Sequence, residues 1–177
     1  MFNKFFNRLI ASCLCLSGLA VYSSAAEPKA GDKAPEFKLQ GSDGKSYSLA
    51  ELKGKHVVVA WFPKAFTGGC TKECKSLKEN SKQLKAFEKV AYFTASVDTA
   101  EQNKKFAESL DLDYPILSDP DKKVAEAYGV VHAGRDVPER WTFYIGPDGK
   151  ILEVDKAVKT EEHGQNVAAK LKELGAK

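Results

Sequence analysis

The amino-acid sequence predicts an α/β domain of three layers, a central mixed β-sheet with helices on both faces. Three observations carry that reading. His56-Val57-Val58-Val59-Ala60-Trp61 and Ala91-Tyr92-Phe93-Thr94-Ala95-Ser96-Val97 are near-continuous apolar runs, as strands buried on both faces require. Between and after them, apolar residues recur at helical spacing. Near the C-terminus, Gly146-Pro147-Asp148-Gly149 separates two short apolar runs. That turn signal adds an antiparallel hairpin to the parallel centre.

Residues 27–35 (EPKAGDKAP) have no period and form an N-terminal arm. The domain proper then runs over 36–177. Phe37 and Leu39 alternate with polar neighbours, and Ser42-Asp43-Gly44-Lys45 precedes Tyr47 as a turn, which predicts a small hairpin. After the 56–61 strand and a loop over 62–69, apolar residues Cys74, Leu77, Leu84 and Phe87 predict one long helix from about 70 to 88. Asp98-Thr99 offers N-cap oxygens to a helix carrying Phe106 and Leu110. A short strand is expected around 115–117. A helix over about 121–128 should stop at Gly129, a residue that readily takes positive φ. Strands at 142–145 and 151–154 flank the turn, and the last helix spans about 161–174 with Val167, Leu171 and Leu174 on one stripe. The order β-α-β-α-β-α-β-β-α fits a single mixed sheet.

The first 26 residues stand apart from that domain. Lys4 and Arg8 precede an apolar run from Leu9 to Val21, and Ser23-Ser24-Ala25-Ala26 supplies small residues for cleavage after Ala26. Basic, apolar and small-residue regions in that order make a secretory signal peptide. The run is about 13 residues, short of the ~20 needed to span a bilayer. Ile10-Ala11-Ser12-Cys13 offers an alternative, lipoprotein-type cleavage box. Of 27 basic residues these two leave with the leader, against 24 acidic ones retained, so the exported chain carries a net charge of about +1. With both signs interspersed, that balance excludes an electrostatic footprint for nucleic acid or an anionic membrane. Cys13 and Cys15 also leave, and the remaining Cys70 and Cys74 close too small a loop to staple a fold. Redox chemistry or metal binding is the better account of them.

Cys70 follows a Gly-rich loop at the carboxyl end of a buried strand and opens a helix, the place where open α/β sheets bind ligands. Unpaired N–H groups of a first helical turn favour an anion, here the reactive thiolate. A buried inert cysteine is the competing account, and it fits a loop-to-helix junction poorly.

Pro63-Lys64-Ala65-Phe66-Thr67-Gly68-Gly69-Cys70 contains the spacing Pro-x-x-x-Thr-x-x-Cys, and Arg140-Trp141-Thr142-Phe143-Tyr144-Ile145 opens a strand with an arginine. Together these resemble the active site of the peroxiredoxins, thiol peroxidases of thioredoxin-like fold. Ser96-Val97-Asp98, the run 114–119 and the run 124–130 resemble family segments too, and the likeness covers about 33–174. It is similar above all to the peroxiredoxin Q, or bacterioferritin-comigratory, branch. The resemblance implies that Cys70 is the peroxidatic thiolate, that Thr67 and Arg140 bind the peroxide oxygens, and that Pro63 shields the site. It implies no metal or other cofactor, and a thioredoxin-like or small-thiol reductant as partner. The exported protein is read as a monomer or weak dimer in the periplasm or another extracytoplasmic space.

Two departures stand out. Gly68 occupies the usual place of a second proline, and the second cysteine comes four residues after the first rather than five. One turn separates the Cα atoms of Cys70 and Cys74 by roughly 6.2 Å on an ideal helix, near the upper end of the disulfide range. Cys74 is therefore read either as a resolving cysteine or as a member of the apolar stripe with Leu77 and Leu84. The Cys-x-x-x-Cys spacing also resembles the exported Sco-type copper proteins, with His132 the candidate third ligand. A general thiol–disulfide oxidoreductase is a further alternative, although Cys-x-x-Cys is absent.

Overall fold

The computed structural model describes residues 27–177; the leader expected over 1–26 lies outside the described residues. Seven strands among them form one sheet: β1 (Lys38–Gly41), β2 (Ser46–Ser48), β3 (His56–Trp61), β4 (Val90–Ser96), β5 (Ile116–Ser118), β6 (Thr142–Ile145) and β7 (Ile151–Asp155). Their spatial order is β2-β1-β5-β4-β3-β6-β7. The centre is parallel, β3 with β4 and β4 with β5, and the flanks are antiparallel. The mixed sheet is the one the element order requires.

Alternation along the strands divides the core. Val57 and Val59 face a cluster with Phe93, Phe143, Ile145 and Tyr128, while Val58 faces one with Leu77, Leu84, Tyr92, Val167 and Leu171. The second cluster joins α1 (Gly68–Glu79), α2 (Ser81–Leu84) and α5 (His163–Glu173). On the other face lies α4 (Lys123–Ala127), and α3 (Ala100–Ser109) packs beside α1 through Phe106. Helices thus cover both faces.

Several boundaries differ from the sequence reading for identifiable reasons. The expected helix over 70–88 starts two residues earlier and breaks at Asn80. Asn80 Nδ2 donates to the Ser76 carbonyl at 2.9 Å, the side-chain competition with backbone that ends helices at asparagine. Of the two cap candidates before α3, Thr99 forms a capping box with Gln102, while Asp98 is used elsewhere. The arm over 27–35 is tied down: Gly31 N donates to Ile151 O at 2.8 Å, and Ala34 N to Gly149 O at 2.9 Å.

Candidate active site

The carboxyl ends of β3 and β4 build the site. After Trp61, the chain continues through Phe62 into the loop Pro63–Thr67, and Asp98, just past β4, accepts a 2.8 Å hydrogen bond from Ala65 N. One buried carboxylate therefore fixes the middle of the loop. The next residue, Phe66, takes φ +63°, a left-handed conformation that costs a non-glycine residue energy. Its ring is 59% exposed and lies 5.0 Å from that of Phe106. Thr67 has the extended backbone of an N-cap but makes no capping bond, and its hydroxyl donates to Lys64 O at 2.9 Å. Thr67 thus caps α1 by position only, and the tight turn 64–67 keeps its hydroxyl. Pro63 is half-buried at the start of this loop.

Cys70 is the third residue of α1, inside the turn whose N–H groups lack helical partners. It is completely buried. Arg140 Nη2 donates to its sulfur at 3.4 Å. Gly69 eases this approach, because a Cβ there would crowd the same Nη2 at 3.3 Å. The motif thus brings Cys70 and Arg140 into contact, with Gly69 where the guanidinium passes, and Thr67 stands at the N-cap position of the same helix.

Two residues absent from the sequence reading complete the arrangement. Arg140 Nη1 donates to Glu73 Oε2, and the Glu73 side chain is wholly buried. The other carboxylate oxygen, Oε1, lies 3.2 Å from Nδ1 of the buried His163, and His163 Nε2 lies 2.9 Å from Thr142 Oγ1. Burial works against the Arg140 charge. The Glu73 carboxylate and the Cys70 sulfur outweigh it, so the arginine pKa is raised. Glu73 had a faint signal, since a residue three after Cys70 shares its helix face. His163 had none.

Cys74 is also completely buried and unpaired in a disulfide. It packs with Cys70, Phe62, Phe106 and Ile116, whereas Leu77 and Leu84 belong to the cluster under α5. The single stripe expected for these residues is therefore split between two clusters. Tyr114 Oη donates to the Cys74 carbonyl at 3.0 Å. Burial, reinforced by the Glu73 charge, pushes the Cys74 thiol pKa far above its usual range.

The copper alternative loses its ligand set. His132 has a half-exposed side chain and turns toward Glu139, 3.5 Å away. Among the described residues no three His, Cys, Asp or Glu side chains are gathered to hold a metal ion.

Comparison with known proteins agrees with this geometry. The AhpC/TSA family profile matches residues 30–154. The chain is 38% identical over 151 residues to peroxiredoxin Bcp of Escherichia coli, covering 82% of this chain and 96% of that protein. It is 31% identical over 153 residues to peroxiredoxin Bcp of Bacillus subtilis, covering 83% and 97%. The crystal structure of peroxidoxin BcpB from Mycobacterium tuberculosis superposes with a TM-score of 0.75 at 30% identity, over 85% of this chain and all of that one. The chain belongs to the AhpC/TSA family, as a Bcp-type peroxiredoxin, a thiol peroxidase on a thioredoxin-like α/β fold.

Proposed function

We propose that the protein is an exported peroxidase that reduces hydrogen peroxide or organic hydroperoxides at Cys70. The observation that carries this reading is the guanidinium of Arg140, donating to the sulfur of Cys70 in the first turn of α1. The thiolate is the form that attacks, and the guanidinium offers that sulfur a charged donor. The thiolate sulfur attacks the near oxygen and breaks the O–O bond. The far oxygen leaves as hydroxide or alkoxide, takes a proton, and Cys70 is left as a sulfenic acid.

Arg140 remains charged throughout and meets the developing negative charge with a preorganised donor. Glu73 holds that guanidinium in place. The Thr67 hydroxyl spends its proton on Lys64 O, so its oxygen is free to accept from a peroxide O–H. Pro63 shields the entrance.

The sulfenic acid then condenses with the Cys74 thiol, releasing water and forming a Cys70–Cys74 disulfide, which a thioredoxin-like or small-thiol reductant returns to two thiols. Support for Cys74 comes from its place in the same cluster one helical turn away. Burial keeps it protonated in the closed helix, so resolution requires α1 to loosen first. The 1–26 segment supports export by its residue order alone. Replacing Cys70 by serine and following peroxide loss tests the assignment of the reacting atom.

A further inference from the structure

His163 lies outside the motif that identifies the site, on the first turn of α5. It is almost wholly buried, and both of its ring nitrogens face polar groups. Nδ1 is 3.2 Å from Glu73 Oε1, and each of these two buried atoms is otherwise without a partner and makes no well-aligned hydrogen bond. Nε2 is 2.9 Å from Thr142 Oγ1. Buried polar atoms left without partners are costly, and each of these two stands within reach of the other.

The contacts close on themselves. Arg140 joins Cys70 and Glu73, Glu73 meets His163, and His163 meets Thr142, two residues beyond Arg140. The chain of contacts leaves the extended segment before β6, crosses α1 and α5, and returns to the start of the same strand. Glu73 therefore has one oxygen on Arg140 and the other on His163. A contact at the second oxygen restrains rotation of the carboxylate, and with it the placing of the guanidinium on the sulfur.

We propose that His163 is a positioning residue of the peroxidase site, holding Glu73 through an Nδ1–H donor so that Arg140 stays on Cys70. An ionised carboxylate only accepts, so the ring nitrogen that faces it, Nδ1, carries a proton. The close packing of the two helices fixes the ring. Gly164 N donates to Ser76 Oγ at 3.0 Å, and a Cβ at Gly164 would lie 2.1 Å from Ser76 O. The proposal rests on Cys70 being the thiol that reacts with peroxide.

Asparagine places its amide nitrogen where Nδ1 stands, and glutamine reaches the position of Nε2. Stopped-flow rates of Cys70 oxidation by hydrogen peroxide should therefore separate the variants. His163→Asn should stay within about threefold of wild type, while His163→Gln and His163→Ala should lose on the order of tenfold or more, as misplaced catalytic groups do. Thermal melts of each variant report whether it folds. The ring itself is read in the unmodified protein by nitrogen NMR, with Nδ1 expected to carry a proton. An unprotonated Nδ1, an alanine variant as fast as wild type, a glutamine variant matching asparagine, or an asparagine variant as slow as alanine would each overturn the assignment. Failure of the wild type itself to oxidise Cys70 would instead sink the proposed function.

Discussion

Glu73, with no solvent exposure at all, is ion-paired to the guanidinium of Arg140, which keeps 22% of its side-chain surface. A buried carboxylate is tolerated only when paired and hydrogen-bonded. This one stands three residues after the proposed nucleophile, on the helix face that looks into the site. Its energetic cost makes sense as the means of holding Arg140 against the Cys70 sulfur.

Removing that carboxylate should therefore affect rate and stability together. Glu73→Gln keeps the shape and loses the charge, and its rate with hydrogen peroxide should fall on the order of tenfold as Arg140 drifts. Glu73→Ala should also destabilise, by less than the ~3–5 kcal/mol typical of breaking a fully buried pair, because Arg140 can still reach water. Stopped-flow fluorescence and urea unfolding measure the two effects separately. An unchanged rate in the glutamine variant would show that Arg140 is placed without Glu73.

Arg140 carries the next expectation. Loss of one preorganised donor to developing charge typically costs ~2.7–4 kcal/mol of barrier, a factor of about 10²–10³, and Arg140→Ala should fall in that range. Arg140→Lys should recover only part. An ammonium is a point charge, and it cannot donate to Cys70 and Glu73 through two nitrogens of one rigid plane as the guanidinium does. Rates unchanged in the alanine variant would remove Arg140 from the chemistry.

The sharpest test falls on Cys70 itself. Cys70→Ser should keep the fold, since the change removes little volume, and should abolish peroxide consumption, because a hydroxyl is hardly ionised near neutral pH. Substantial peroxidase turnover in this variant would refute the assignment of the nucleophile.

The parts of the site that could be read from sequence are the local ones. Pro63 and Thr67 lie in one loop, Cys70 sits in the first turn of the helix that follows, and Arg140 stands two residues before a strand whose hydrophobic run is itself legible. That the sheet is mixed followed from the buried runs and the Gly-Pro-Asp-Gly turn, whereas its strand order did not. Glu73 was only faintly legible and His163 not at all, for a physical reason. A glutamate among lysines on a helix looks like a solvated face, and only the packing of α5 onto α1 seals it. The break at Asn80 was missed because apolar spacing continues through Leu84, while a single side-chain amide decides where the helix stops.

The reduced protein should lose stability as pH rises through the alkaline range. The folded Cys74 pKa is raised by burial and then by Glu73, whereas an unfolded thiol ionises near ~8.5. Below that value both states hold the proton and the preference for the folded state is intact. Above it the unfolded chain releases a proton that the native state retains, so stability falls by about 1.4 kcal/mol per pH unit. The Cys70→Ser protein isolates the effect, which should begin near pH 8.5 and vanish on adding Cys74→Ala. Tyrosines with raised pKa values, Tyr47 at about 12 among them, enter only above ~10. A double variant with the same slope between pH 8.5 and 10 would place the titration elsewhere.

The last expectation concerns Cys74, whose burial and raised pKa make it a poor nucleophile in the closed helix. After one equivalent of peroxide, mass spectrometry should show a 2 Da loss and a crosslinked Cys70–Cys74 peptide within one chain. Bringing the sulfurs to bonding distance from one turn apart demands a distorted first turn. Amide exchange over 71–75 should therefore quicken in the oxidised protein. The Tyr114 hydroxyl that donates to the Cys74 carbonyl should be released at the same step, so Tyr114→Phe is expected to speed disulfide formation without changing the rate of the first oxidation. Cys74→Ser should consume one peroxide, stop at the sulfenic acid and overoxidise unless a small thiol rescues it. If the wild type instead accumulates sulfenic acid or a Cys70–Cys70 dimer while Cys74 stays alkylatable on unfolding, Cys74 is a core residue. The enzyme then works with one cysteine and a borrowed thiol.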